Sequence, residues 1–233
     1  MTAAARHAAV LADGTVPDPA RLDAAWPGWD EGIDLVIAAD GGARHAAALG
    51  LRIDRWVGDG DSIESAELAA LAAAGVSITR SATDKDESDT ELALRTAIEA
   101  GAPTITVLGA LGGVRVDHTL ANVGLLLDPM LDGRRVRLYD EAAARLSVLA
   151  GGGSGAERGY DLAGREGDIV TLLPLGGPAH GVTTSGLRYP LAGETLELGR
   201  ARGLSNVRTA PTAHVSLTAG HLLAIETPAR LRP

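Results

Sequence analysis

Short apolar runs alternate with helical patterns along the first 140 residues. His7–Ala12 has the length and apolar character of a strand. Asp18-Pro19 then supplies a cap and a proline at the first helical position, which opens a short helix. Asp34–Ala39 (DLVIAA) is a continuous apolar run, as expected for a strand covered on both faces. Gly42–Leu49 reads as a helix stopped by Gly50, and Trp56-Val57 as a very short strand. Glu64–Ala74 is a strong helix former ending at Gly75, followed by strand character over Val76–Arg80. Ser88-Asp89-Thr90-Glu91 has capping-box spacing and opens a helix to Ala100, stopped by Gly101. Thr104–Leu108 reads as a strand, His118–Leu127 as a helix and Arg135–Tyr139 as a strand. The alternation predicts an α/β fold with a mainly parallel sheet flanked by helices. In such sheets ligands bind beyond the carboxyl ends of the strands.

After residue 140 helical periods fade and glycines multiply. Short β-rich runs occur at Arg145–Leu149, Asp168–Leu173, Gly181–Thr184, Glu194–Leu198, His214–Leu217 and His221–Glu226. The expected organisation is an α/β domain over 1–140, then a smaller all-β domain, a sandwich or barrel, over 141–233. Gly151–Gly155 reads as a hairpin loop. With Ala156 it fits a G-x-G-x-x-A pattern, but it neither follows a central parallel strand nor opens a helix, so a dinucleotide site is discarded there.

Composition narrows the function. The chain has 233 residues, 45% of them hydrophobic, with no cysteine and a net charge of −9. The absence of cysteine excludes a disulfide framework and thiolate metal sites. The acidic balance argues against nucleic-acid binding. No apolar run approaches the ~20 residues of a membrane helix, and MTAAARHAAVLADG lacks a continuous apolar signal region. A cytoplasmic protein with no membrane contact is expected. Of the 21 basic residues, 20 are arginine and one, Lys85, is lysine.

Candidate chemistry is concentrated between Asp40 and Asn122. Asp40-Gly41-Gly42 lies between a strand and a helix, where glycines admit an anionic ligand close to the backbone. Gly58-Asp59-Gly60-Asp61-Ser62 offers two carboxylates that can converge on a hard cation such as Mg²⁺. Asp84-Lys85-Asp86-Glu87-Ser88-Asp89 places acidic groups around the one lysine. Asp89 and Glu91 are also ordinary first-turn helix residues, whereas the Asp-Lys-Asp run before the cap has no such account. Six carboxylates, Asp54, Asp59, Asp61, Asp84, Asp86 and Asp89, fall within 36 residues. Gly109–His118 (GALGGVRVDH), with Asn122 one helical turn beyond, is a second glycine-rich approach to a helix start, with Arg115 as a bidentate phosphate donor. Each motif alone is also consistent with an ordinary turn. No Walker A pattern exists, and His118 has no histidine or cysteine nearby in sequence to make a zinc site. Ser185–Leu191 (SGLRYPL) and Arg202–Asn206 (RGLSN) lie in the β-rich part, where Ser and Asn side chains are suited to reading a heteroaromatic ring.

Taken in order, AADGGA, VGDGDS, DKDESDTELAL, GALGG-RVDHTLAN, GLRYPL and GLSN closely resemble the thiamine pyrophosphokinase family, over roughly Asp34 to Asn206. The resemblance implies a homodimer whose subunits pair an α/β nucleotide domain with a β-sandwich. It implies pyrophosphoryl transfer from ATP to the hydroxyl of thiamine, giving thiamine diphosphate and AMP, with Mg²⁺. It assigns metal-binding and catalytic roles to Asp59, Asp61 and Asp89. It assigns nucleotide-side roles to Asp40, Gly41, Gly42, Arg115, Asp117, His118 and Asn122. Apart from the resemblance, Lys85 inside the acidic run is suited to act as a point charge on a phosphate oxygen of a bound nucleotide. Ser205 and Asn206 are implied to face the aminopyrimidine, with Tyr189 nearby. The chain departs from the family pattern in three places. Val114 is an extra residue before Arg115, Gly60 stands where a phenylalanine is common, and Ile53-Asp54 replaces a Pro-Asp. Two other readings remain: a Mg²⁺-dependent phosphotransferase or phosphohydrolase acting on a different hydroxylated heterocycle, and a non-catalytic thiamine or nucleotide binder.

Overall fold

The structure is a computed structural model that describes residues 5–152 and 155–229. Gly153 and Ser154 of the expected hairpin loop and the first four residues of the N-terminal stretch lie outside the described residues. The chain divides into two compact units, Met1–Glu141 and Ala142–Pro233.

The first unit contains β1 (His7–Leu11), α1 (Pro19–Ala25), β2 (Leu35–Ala39), β3 (Arg55–Gly58), α2 (Ser65–Ala73), β4 (Ser77–Arg80), α3 (Asp89–Glu99), β5 (Thr104–Leu108), α4 (Val116–Leu125) and β6 (Arg135–Tyr139). The strand order is β6-β5-β1-β2-β3-β4, and every neighbouring pair is parallel. All five residues of β2 are buried, which is why its sequence is a continuous apolar run rather than an alternating one. α1 begins where Asp18 accepts the Arg21 N–H and Pro19 follows. α3 begins where the Ser88 hydroxyl accepts the Glu91 N–H at 3.1 Å, and it lays Ala93, Leu94 and Ala97 against β1, β2 and β3. The helix expected at Gly42–Leu49 is instead a 3-10 helix over Asp40–His45. Gly42 explains part of the difference: a Cβ there would stand 2.1 Å from the Leu11 carbonyl oxygen, so this turn is pressed against the end of β1.

The second unit contains β7 (Arg145–Ala150), β8 (Arg158–Ala163), β9 (Ile169–Pro174), β10 (Ala179–Ser185), β11 (Glu194–Leu196), β12 (Asn206–Val207), β13 (Thr212–Leu217) and β14 (His221–Thr227). They are ordered β12-β9-β14-β7 and β11-β10-β13-β8, and all their pairings are antiparallel. Val170, Leu172 and Leu222 of one set meet Val182, Val215 and Leu217 of the other in a single apolar core. A buried ion triad ties β7 and β14 to Arg208, the residue after β12. Glu226 accepts from Arg145 at 2.9 Å and from Arg208 at 2.8 Å.

Over the whole chain the pairing is therefore mixed, and a mainly parallel sheet describes the first unit alone. The reason is the connections. Parallel neighbours need a long crossover, usually a helix, and after α4 no α-helix remains among the described residues. The chain can then return only by turns, which pair strands antiparallel. No helix among the described residues is long and apolar enough to cross a membrane.

Candidate active site

The order β5-β1-β2 places a topological switch point at β1: the chain leaves β1 for β2 on one side and returns to β5 on the other. The loops after these strands converge beyond their carboxyl ends. Ala12 donates to the Leu108 carbonyl and Gly14 to the Gly109 carbonyl, both at 2.8 Å. Gly109 has φ +73°, and a Cβ on it would lie 2.1 Å from the Ala12 carbonyl oxygen. Only glycine permits both that conformation and that approach. Asn122, buried on α4, donates to the Ala110 carbonyl at 2.7 Å and so holds the glycine-rich loop from below.

Asp40 leaves β2 into the same region. Its φ is +44°, an uncommon conformation for a residue with a side chain. The buried Trp56 indole donates to its carbonyl at 3.0 Å. The residue is 3% exposed, and its carboxylate Oδ1 is buried with no hydrogen-bond partner. Burial pushes this carboxyl up from 3.8 to about 6. The Ser62 N–H, at 3.4 Å, favours ionisation, while the negative charges of Asp89 and Asp61 oppose it.

Asp40, Asp59 and Asp89 each offer an oxygen, and the three atoms lie within 4.8 Å of one another. This is an oxygen-only donor set suited to a hard divalent cation. A buried Oδ1 without a partner is what such a cation would satisfy, so the residues fit one. Asp59 and Asp89 are the expected carboxylates; the third is Asp40 rather than Asp61. Asp61 is exposed, its N–H bonds Asp59 Oδ1 at 3.0 Å and its Oδ1 accepts from the Ser62 hydroxyl at 2.8 Å. Lys85 reaches the cluster, with Nζ 3.0 Å from Asp89 Oδ1 and 3.8 Å from Asp59 Oδ2. Burial opposes its charge, but the Asp89 hydrogen bond and the charges of Asp89, Asp59 and Asp40 together hold the ammonium above its ordinary range. Asp54 stays apart: its Oδ2 accepts from the Val36 N–H at 2.9 Å at the opposite end of the strands.

Gly41 and Gly42 are buried, and a Cβ on Gly41 would meet Asp13 Oδ1 at 2.3 Å. The pair thus packs against the chain's own backbone and Asp13. Arg115 and Asp117 form an exposed bidentate pair at 2.9 and 2.6 Å. That contact holds the Asp117 carboxyl well below its usual range. Arg115 occupies the cap position of α4 without a side-chain cap bond, and His118 is exposed in the first turn. Arg80, which the motifs did not single out, closes β4 beside the Gly58–Ser62 segment. Its guanidinium lies 3.0 Å from where a Cβ on Gly60 would be and 3.4 Å from the Asp59 carbonyl oxygen. It occupies the space a side chain at position 60 would need.

In the second unit Ser205 also has a positive φ, +56°. Its N–H bonds the Thr171 hydroxyl at 2.9 Å. The Asn206 amide closes on the backbone of Tyr189 in both directions: Oδ1 accepts the Tyr189 N–H at 3.0 Å and Nδ2 donates to its carbonyl at 2.7 Å. The Tyr189 ring is 58% exposed. Asn206 and Tyr189 are therefore brought together, with Asn206 clamping the loop that presents the ring.

Carboxylates gathered beside a glycine-lined switch point are an arrangement suited to a class of enzymes that move phosphoryl groups. The family model "Thiamin pyrophosphokinase, catalytic domain" matches residues 29–138, and "Thiamin pyrophosphokinase, vitamin B1 binding domain" matches residues 159–222. The thiamine pyrophosphokinase of Bacillus subtilis is 27% identical over 199 residues, covering 85% of this chain and 89% of that protein. A crystal structure of the B. subtilis enzyme superposes with a TM-score of 0.78 at 25% identity, over 95% of this chain and 99% of the other. A thiamin pyrophosphokinase family protein from Enterococcus faecalis gives 0.77 at 26%, over 96% and 99%. The chain belongs to the thiamin pyrophosphokinase family. With that membership comes its activity class: it is a thiamine diphosphokinase enzyme.

Proposed function

We propose that the chain transfers the terminal pyrophosphoryl group of ATP to the hydroxyl of thiamine, yielding thiamine diphosphate and AMP, with Mg²⁺. The hydroxyl oxygen bonds to the β-phosphorus. The bond from that phosphorus to the oxygen shared with the α-phosphate breaks, and the hydroxyl proton passes to a carboxylate of the site. The observation that carries the reading is the trio Asp40, Asp59 and Asp89 with its buried, unpartnered Oδ1. These residues would hold Mg²⁺, which when bound supplies charge neutralisation for phosphate oxygens. Asp61 lines the rim beside them. Lys85 and Arg115 contribute positive charge toward the transferred group. The backbone around Gly109–Gly113, with Gly41 and Gly42, shapes the nucleotide approach, and Asp117, His118 and Asn122 support the start of α4. In the second unit, Ser205, Asn206 and Tyr189 receive thiamine. Residues 1–140 thus act as the catalytic nucleotide domain and 141–233 as the thiamine domain, in a cytoplasmic homodimer.

The test is direct. Incubation with ATP, Mg²⁺ and thiamine should release AMP; release of ADP would indicate a different transfer. Asp59→Asn should lower turnover by ~100-fold or more, with thiamine affinity little changed. Near-normal turnover of that variant at saturating Mg²⁺ and ATP would refute the carboxylate assignment. A solution mass of about twice the chain mass tests the dimer.

A further inference from the structure

In the protein alone, the carboxylate cluster already contains a cation of its own. The Lys85 ammonium is within 4 Å of two of the three clustered carboxylates, and its side chain is only 14% exposed, that of Asp59 only 9%. An ammonium is a compact point charge with three donors on a flexible stem, so it can stand in a site suited to a hard ion. Its backbone lies before Ser88, the cap of α3, so the side chain is carried by the loop rather than by the helix. The neutralisation is incomplete: the ammonium pairs with Asp89 and lies 3.8 Å from Asp59, while Asp40 Oδ1 and Asp89 Oδ1 are both buried without a hydrogen-bond partner.

We propose that Lys85 is an exchangeable internal cation. It offsets the cluster's charge in the metal-free protein, and a divalent ion entering the site displaces it from Asp59 and Asp89. The freed ammonium then turns to the phosphates of the nucleotide. The proposal rests on the metal-binding reading given above. Its physical core is like-charge repulsion: an ammonium and a divalent ion drawn to the same three carboxylates repel each other at contact distance, although a carboxylate has lone pairs enough for both. Lys85 therefore competes with metal alone but assists binding when an anionic nucleotide arrives. A residue that merely braced the loop would not produce this reversal of sign.

Calorimetric titration of the full chain, stripped of metal, separates the possibilities. With Mg²⁺ alone, Lys85→Met should bind the ion about tenfold more tightly than the unmodified protein, equivalent to about 1.4 kcal/mol. With saturating Mg²⁺ and a non-hydrolysable ATP analogue, the same variant should bind nucleotide about tenfold more weakly. If the unmodified protein binds Mg²⁺ and Lys85→Met binds it equally or less tightly, the exchange is wrong while the metal site stands. If the unmodified protein binds no Mg²⁺, the metal reading itself falls, and the exchange with it. Should Lys85→Met not fold, Lys85→Gln, shorter but with a polar, uncharged end, carries the same comparison.

Discussion

Asp40 is held in a costly state, and Asp40→Asn measures the cost. The residue is 3% exposed, one carboxylate oxygen has no partner, and Asp89 and Asp61 add negative charge. Moving this carboxyl from 3.8 to about 6 corresponds to about 3 kcal/mol, at about 1.4 kcal/mol per tenfold change. The sign follows from proton binding. Between pH 3.8 and about 6 the folded state holds a proton on Asp40 that the unfolded chain has lost. The stabilisation from this group is therefore complete below pH 3.8 and is lost as pH rises through about 6. At pH 7.5 without divalent ions the native protein carries the full penalty. Asp40→Asn removes the charge at nearly the same shape. It should raise the thermal midpoint at pH 7.5 in EDTA by several degrees, taking about 2–4 °C per kcal/mol for a chain of this size. It should also flatten that part of the stability profile and abolish the gain on adding Mg²⁺. The assay is calorimetric melting of both proteins at pH 5 and 7.5, with EDTA and with Mg²⁺. An unchanged or lower midpoint for Asp40→Asn in EDTA at pH 7.5 would refute the argument that this carboxylate is strained by burial and like charge.

Three further outcomes follow. Gly42→Ala should destabilise the first unit by more than ~1 kcal/mol, because its Cβ would sit 2.1 Å from the Leu11 carbonyl oxygen; urea unfolding measures this. Glu226→Ala leaves the buried Arg145 and Arg208 guanidinium groups without their shared carboxylate and should cost about 3–5 kcal/mol, seen as a lower denaturant midpoint of the second unit. Asn206→Ala breaks both bonds to the Tyr189 backbone, each worth about 0.5–1.5 kcal/mol; steady-state kinetics should show the KM for thiamine rising about tenfold with a smaller change in kcat.

The sequence by itself determined the elements whose signals are local. β5 and β6 begin and end where their apolar runs do, α3 starts at its Ser88 cap, and β2 is buried throughout as its unbroken run implies. The motif order also marked which loops carry chemistry, because glycines and clustered carboxylates are visible as residue types. Signals that depend on a partner elsewhere in the chain were not legible. β8 (RGYDLA) has no apolar run and exists through its register with β13, and β12 is two residues long, held by β9. Mixed pairing followed from the absence, among the described residues, of crossover helices after α4, which is a property of connections rather than of any single run. The carboxylate trio is the clearest case. Asp40 is 19 residues before Asp59 and 49 before Asp89, and only the β1-β2-β3 order with the start of α3 brings their oxygens together. Spacing favoured Asp61, two residues from Asp59, but adjacency in sequence does not set where a carboxylate points. The tertiary structure decided that by burying Asp40 against Trp56 and leaving Asp61 at the rim, with the single lysine drawn in beside the buried charge.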